Sequence, residues 1–120
     1  MEIRIKYTNI EPSPAVENYA RGKIALLEKF VKVFEEKSIA EKDAIYAAIE
    51  IGKTGRHHKG GKVWYAECQL NLPGKSLRVT STHYDIRAAI DEMKDKMENL
   101  LRADKEKWQR ERKRAIGKKE

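Results

Sequence analysis

The chain has 120 residues and a mass of 13.9 kDa, the size of one small domain. Charged residues make up 38% of the sequence and hydrophobic residues 40%, which predicts a small core under a highly charged surface. A long apolar run, a signal-peptide pattern and a second cysteine are all absent, which excludes transmembrane, secreted and disulfide-stabilised classes and favours the cytoplasm.

The positive charge of the chain is concentrated towards its C-terminal end. The sequence has 26 Lys and Arg against 19 Asp and Glu, for a net charge of +7 and a pI near 9.5. Residues 102–120 hold nine of the basic residues and four of the acidic ones, so most of the net charge lies in this segment. Such a balance predicts a polyanionic partner, either nucleic acid or an acidic membrane surface.

The first elements along the chain are a predicted strand and a predicted helix. Residues 2–8 alternate between apolar and charged side chains, which is typical of a half-buried strand. Ser13 is a suitable helix N-cap and Pro14 suits the first helical position. Apolar residues then recur every three or four positions as far as Phe34, which predicts one helix of about twenty residues. We expect Gly22, inside this helix, to permit a close contact.

Three further strands are predicted, at 45–51, 64–72 and 76–82. A glycine-rich loop, 52–62, separates the first two of them. Pro73 and Gly74 predict a tight turn between the last two, with Gly74 at the position where a type II turn requires positive φ. The alternation places Trp64 and Cys68 on the face turned towards the helices, so Cys68 should be a small, buried and unreactive side chain.

A second helix completes the predicted fold. Asp85 is a candidate N-cap, and an apolar stripe runs from Ile86 to Leu101. High helix propensity continues to about residue 114, so this helix should outrun the sheet or fray into a basic tail. The resulting order, β-α-β-β-β-α, predicts an α+β two-layer sandwich. We expect an α/β binding domain over 1–101 and a basic helical extension or tail over 102–120.

The predicted sandwich has a four-stranded sheet with two helices packed on one face, as in double-stranded-RNA-binding domains. The first and second strands flank a helix, so they should be parallel with a right-handed crossover. The last three strands should form an antiparallel meander.

Motifs for catalysis and metal binding are weak in this sequence. Two G-K-[ST] triplets, at Lys53 and Lys75, lack the earlier glycine of a phosphate-binding loop and do not open a helix, which excludes nucleotide hydrolysis. His57 and His58 are adjacent, and neither they nor Cys68 have the spacing of metal ligands. We therefore expect no enzymatic activity, no metal or other cofactor and no small-molecule substrate.

Basic residues beside the apolar helix stripes are the candidate binding residues. For any single lysine, a solvated position with a snorkelling stem is the simpler interpretation. Taken together with the basic loop and tail, these residues favour a surface that binds polyphosphate. The helix candidates are Lys23, Arg87, Lys94, Lys96, Arg102 and Lys105, and the loop candidates are Lys53, Arg56, Lys59 and Lys62. The acidic residues of the second helix, Asp91, Glu92, Asp95 and Glu98, are expected on its solvent-exposed back.

Several segments of the chain resemble one protein family. They are residues 16–30, the stretch 56–61 leading into Tyr65-Ala66-Glu67, residues 72–75 and residues 85–91. In this order and spacing, they are similar to the ribosome hibernation-promoting factors, also called ribosome-associated inhibitors or ribosomal subunit interface proteins. The resemblance covers about residues 1–105. It implies a non-catalytic stress-response protein that occupies the decoding region of the small ribosomal subunit and excludes mRNA and tRNA.

The resemblance also implies which residues contact small-subunit rRNA: Lys23, Lys96 and Lys105. The family often has further basic residues where this chain has Leu26 and Asn99, and an aromatic residue where it has Arg87; Arg102 supplies charge near Asn99. Long family members add a C-terminal dimerisation domain. This chain ends in a basic tail instead, which predicts a short form that is monomeric off the ribosome.

Two other functions fit the same residues. A generic double-stranded-RNA-binding module would bind duplex RNA without ribosomes, since that fold also packs two helices on a sheet. A protein-interaction domain whose basic tail binds acidic proteins would have little affinity for RNA. Sedimentation with purified ribosomes and separated subunits distinguishes these two functions from ribosome hibernation.

Overall fold

The computed structural model describes residues 1–35, 45–54 and 63–117. The elements are β1 (Glu2–Thr8), α1 (Pro14–Ala25), α2 (Glu28–Glu35), β2 (Tyr46–Lys53), β3 (Trp64–Leu72), β4 (Lys75–His83) and α3 (Ile86–Gly117). The order is therefore β-α-α-β-β-β-α, an α+β fold as predicted, with one more helix than the sequence pattern indicated.

The four strands form one mixed sheet in the order β1-β2-β3-β4. β1 pairs in parallel with β2, for example Ile5 with Ile49, and β2, β3 and β4 form an antiparallel meander. The predicted pairing is thus confirmed, and the bounds of each predicted strand differ from those observed by at most two residues. Gly74 closes the β3–β4 hairpin with a φ of 78°, which fits the predicted type II turn.

The single helix predicted from Pro14 to Phe34 is wrong, because the helix breaks at Leu26 and Leu27. The Leu26 N–H bonds the Lys23 carbonyl at 3.2 Å and the Leu27 N–H bonds the Ile24 carbonyl at 2.9 Å, both over three residues instead of four. This tightened turn ends α1, and α2 then starts at Glu28. Leu26 is left 55% exposed at the break, whereas Leu27 is fully buried.

Both predicted N-caps are confirmed. The Ser13 hydroxyl accepts a hydrogen bond from the Val16 N–H at 3.4 Å, with Pro14 in the first turn. Asp85 Oδ1 accepts from the Arg87 N–H at 3.0 Å at the start of α3. These oxygens satisfy backbone donors that have no partner within the helix.

The core lies between one face of the sheet and the helices. The strands contribute alternate residues, such as Ile49 on β2 and Cys68 on β3, and α3 contributes a stripe that ends at Leu101. The expected close contact at Gly22 is absent, since a Cβ built there would have no neighbouring atom within 4 Å. The predicted phase of β3 is confirmed, because Cys68 is fully buried.

We expect Cys68 to resist thiol reagents in the folded protein. Burial raises the pKa of its thiol to about 12, so at neutral pH almost no thiolate, the reactive form, is present. Labelling with a chromogenic disulfide should be slow under native conditions and immediate in denaturant. Equal labelling rates in the two conditions would contradict the observed strand phase.

Helix α3 extends well past the sheet. It has 32 residues and so a length of about 48 Å, against about 30 Å for a strand of nine residues. Beyond Leu101, a salt bridge of 2.6 Å joins Asp104 to Lys75 in the β3–β4 turn. No helix in the described ranges combines the length and apolar character needed to cross a membrane.

Candidate nucleic-acid interface

Four of the predicted helix candidates meet where α1 and α2 pack against α3. We call this region the helix seam; it comprises Tyr19, Lys23, Phe30, Arg87, Asp91, Lys94, Glu98 and Arg102. Cations and carboxylates alternate along it, and two aromatic rings lie beneath the guanidinium groups.

Asp91 organises the end of the helix seam nearest the start of α3. Its Oδ1 accepts a hydrogen bond of 2.6 Å from the Tyr19 hydroxyl and lies 3.3 Å from the Lys23 ammonium. The hydrogen bond to Asp91 is the main reason that the pKa of Tyr19 is raised, and the separate hydrogen bond from Lys23 to Asp91 is the main reason that the pKa of Lys23 is raised. The Arg87 guanidinium lies 5.2 Å from the centre of the Tyr19 ring. Lys23 and Arg87 are therefore held side by side on opposite helices.

Glu98 organises the other end of the helix seam. The Lys94 ammonium donates to its carboxylate at 2.9 Å, and Arg102 lies 3.3 Å from it. The hydrogen bond from Lys94 is the main cause of a lowered pKa at Glu98. Arg102 also lies 5.2 Å from the centre of the Phe30 ring. Arg102 remains 57% exposed, whereas Lys94 is only 14% exposed and serves mainly to hold Glu98.

The acidic residues of α3 do not all lie on the solvent-exposed back that the sequence predicted. Asp91 and Glu98 lie in the helix seam, and Glu92 accepts a hydrogen bond of 2.6 Å from Ser81 on β4. Of the four acids, Glu92 and Asp95 are exposed, and the Asp95 side chain is 70% exposed. The prediction failed for Asp91 and Glu98 because α3 packs against α1 and α2 as well as against the sheet. The part of its surface that contacts other elements is therefore wider than its apolar stripe.

Lys96 and Lys53 lie away from the helix seam. The Lys96 ammonium donates to the Thr80 carbonyl of β4 at 2.8 Å, on the opposite shoulder of α3. Lys53 lies at the end of β2 with its ammonium 4.7 Å from the centre of the Trp64 ring. The other three loop candidates, Arg56, Lys59 and Lys62, lie outside the described residues.

The extension of α3 continues the positive charge beyond the helix seam. Lys105 is half-buried about one turn after Leu101. Further along, the exposed basic residues of α3 are Lys107, Arg110, Lys113 and Arg114. The extension therefore presents cations over several helical turns, and these side chains are not covered by the rest of the fold.

Sequence reasoning missed two residues that shape this surface. Tyr19 supports Lys23, Arg87 and Asp91 at once, and its spacing of four residues from Lys23 is the signal that could have indicated it. Lys29 lies with its ammonium 5.1 Å from the centre of the Phe30 ring, next to Arg102 on the same ring. The proximity of Lys29 to Arg102 of α3 depends on how α2 packs, which the sequence pattern does not show.

Comparisons with known proteins agree with this arrangement. Residues 3–109 match the family model described as sigma 54 modulation protein / S30EA ribosomal protein. Among solved structures, the N-terminal domain of Protein Y from Thermus thermophilus is similar at 25% identity and a TM-score of 0.64, covering 84% of this chain and 96% of that one. A ribosomal subunit interface protein from Coxiella burnetii shares the fold at 18% identity and a TM-score of 0.64, covering 88% of this chain and 98% of that one. No curated protein sequence matches the chain.

The matched range includes the sheet except for Glu2, the three helices up to residue 109 and every residue of the helix seam. The resemblance to hibernation-promoting factors is thereby confirmed. The chain belongs to the sigma 54 modulation protein / S30EA ribosomal protein family.

Proposed function

We propose that this protein is a ribosome hibernation factor that binds the small ribosomal subunit through α1, α2 and α3 and excludes mRNA and tRNA from the decoding region. It acts by occupancy, without a reaction, in the cytoplasm under stress. Family membership supports the ribosome as partner. The observation that carries the proposal is the series of cations, interspersed with carboxylates, that runs from Lys23 and Arg87, through Arg102, to the extension of α3.

The ion pairs of the helix seam are compatible with RNA binding. Salt bridges between partly exposed side chains contribute only ~0–1 kcal/mol. Lys23 is 35% exposed and Arg102 is 57% exposed, so each can exchange its carboxylate for a phosphate at low cost. The aromatic rings of Tyr19 and Phe30 hold Arg87 and Arg102 in place, which reduces the entropy lost when they bind.

The proposed rRNA-binding set follows from these positions. Lys23, Arg87, Arg102 and Lys105 are first in importance, because they border the helix seam or lie just beyond it. Lys96 retains two of its three ammonium donors for a phosphate despite its bond to Thr80. The loop residues Lys53, Arg56, Lys59 and Lys62 rank after them as additional contacts.

The test is co-sedimentation of the protein with purified ribosomes and separated subunits at several salt concentrations. We expect binding to the small subunit that weakens steeply with salt, because bound phosphates release counterions. Binding to any duplex RNA with equal affinity would favour a generic double-stranded-RNA-binding module instead. No binding to either would refute the proposal.

Truncation after Leu101 should weaken this binding and flatten its salt dependence. The deletion removes nine basic residues. Each lost phosphate contact lowers the slope of log affinity against log salt concentration by about 0.9. A matched variant, with glutamine at Lys107, Arg110, Lys113 and Arg114, keeps the length of the chain and should also flatten the slope. Identical slopes for the full-length, truncated and substituted proteins would show that the extension does not contact RNA.

A further inference from the structure

An exposed aromatic residue lies where β4 meets α3, outside the helix seam. Tyr84 is 66% exposed, more than any other large hydrophobic residue in the described ranges. It lines an open cavity of ≈ 340 Å³ together with Val63, Thr82 and His83. This volume is at the small end of the range for ligand sites, about ~300–1,000 Å³.

One polar side chain of this cavity, that of His83, is placed to hydrogen-bond a ligand. His83 Nδ1 accepts a hydrogen bond of 3.1 Å from the Asp85 N–H. In the neutral imidazole, the proton is therefore on Nε2, which leaves a donor for a ligand. Thr82, the preceding residue of β4, is exposed on the opposite face of the sheet, so its hydroxyl does not share a ligand with the imidazole.

One cation lies beside the cavity, and a second follows Tyr84 along the chain. Trp64 is the cross-strand partner of His83, and the Lys53 ammonium lies 4.7 Å from the centre of its ring. Arg87 is exposed in the first turn of α3, three residues after Tyr84. The neighbouring acid is Asp85, whose Oδ1 is engaged as the cap of α3 by the Arg87 N–H at 3.0 Å.

We propose that this cavity binds one unpaired nucleotide of an RNA, with its base stacked on the ring of Tyr84. Single-stranded RNA is recognised in this way, by stacking on aromatic side chains and by hydrogen bonds to exposed base edges. His83 supplies a hydrogen bond to the base edge, and Lys53, held beside Trp64, is the cation available to an adjoining phosphate. The inference rests on the proposed rRNA binding and adds to it a site for a splayed-out base, which duplex RNA does not offer.

The test measures the affinity of the full chain for a short single-stranded oligoadenylate and for a duplex RNA of equal length. The chain has two tryptophans, so in a Trp108→Phe background Trp64 is the sole tryptophan, and its emission can be excited selectively over that of the tyrosines. We expect Tyr84→Ala to weaken oligoadenylate binding by about 10- to 100-fold, the effect of losing one stacked base. Tyr84→Phe should retain binding because it keeps the ring, and duplex binding should be unchanged in both variants.

Tyr46→Ala is the matched control, since Tyr46 lies on the other face of the sheet with the Arg4 guanidinium 4.2 Å from its ring centre. Its oligoadenylate affinity should equal that of the unsubstituted protein. Equal affinities for Tyr84→Ala and the unsubstituted protein would overturn the inference, as would a fluorescence of Trp64 that does not respond to the oligonucleotide. Tyr84-dependent oligonucleotide binding without ribosome binding would refute the proposed function and leave this site standing.

Discussion

Reversing two charges on α3, with Arg102→Glu and Lys105→Glu together, is expected to abolish inhibition of translation in vitro. Arg102 is 57% exposed beside the Phe30 ring of α2, and Lys105, which is half-buried, follows it three residues later on α3. A hydrogen bond to a charged group contributes about 1.5–3 kcal/mol, so the loss of two phosphate contacts should reduce affinity by at least about 100-fold. Stability should change little, since surface substitutions usually shift it by less than ~0.5 kcal/mol.

A matched control separates this local effect from a change in net charge. Arg4→Glu with Lys6→Glu introduces the same four units of charge change on the open face of the sheet, where these side chains are 56% and 75% exposed. Translation should still be inhibited by this variant, with a circular dichroism spectrum like that of the unsubstituted protein. Inhibition by the α3 double variant that equals that of the control would refute the assignment of α3 as the contact surface.

Gly52→Ala should destabilise the fold strongly. A Cβ at this position would lie 2.4 Å from the Thr8 carbonyl oxygen of the paired strand and 2.8 Å from the Tyr65 hydroxyl. The Thr8 contact is with backbone, so relief requires β1 and β2 to separate. We expect a loss of about 3 kcal/mol in the free energy of unfolding, measured by urea denaturation, which is a large fraction of a small domain's ~5–15 kcal/mol.

Gly22→Ala is the control for the glycine substitution itself. Gly22 lies inside α1 and has open space where its Cβ would be. Alanine has the higher helix propensity, so this variant should gain about 0.5–1 kcal/mol. A Gly52→Ala protein as stable as the unsubstituted one would mean that the two parallel strands are not packed as closely as described here.

The strands and the hairpin could be predicted because their signals are local. Alternation of side chains from Trp64 to Leu72 defines both the extent and the buried face of β3, and Gly74 occupies the turn position that requires positive φ. The break between α1 and α2 has no such signal. The buried residues Ile24, Leu27 and Val31 keep a helical spacing across it, so the apolar stripe conceals the change.

The candidate site was predicted in composition but not in arrangement. Basic residues beside the apolar stripes were the predicted candidates, and in the structure Lys23, Arg87, Lys94 and Arg102 do meet in the helix seam. The positions of residues around one helix do not show which residues the other helices contribute to the site. The bond between Tyr19 and Asp91 joins residues 72 positions apart in the sequence, and it decides where Lys23 lies. The exposed position of Tyr84 likewise depends on how β4 leads into α3.

The contacts of Lys96 in the folded protein lower its rank among the candidate rRNA-binding residues. Its bond to the Thr80 carbonyl occupies one donor and ties it to the β4 edge of the sheet. A reversal at Lys96 would therefore disturb this edge contact as well as any phosphate contact. Arg102 is the sharper choice for the test above, because its partners are the partly exposed Glu98 and the Phe30 ring.

Competition on the small subunit tests the central claim most directly. Purified small subunits, either empty or preloaded with mRNA and tRNA, are sedimented with the protein at low salt, and the bound protein is quantified. Exclusion from the decoding region predicts strong binding to empty subunits and little binding to the preloaded ones. Equal binding to empty and preloaded subunits, or binding to neither, would contradict the account.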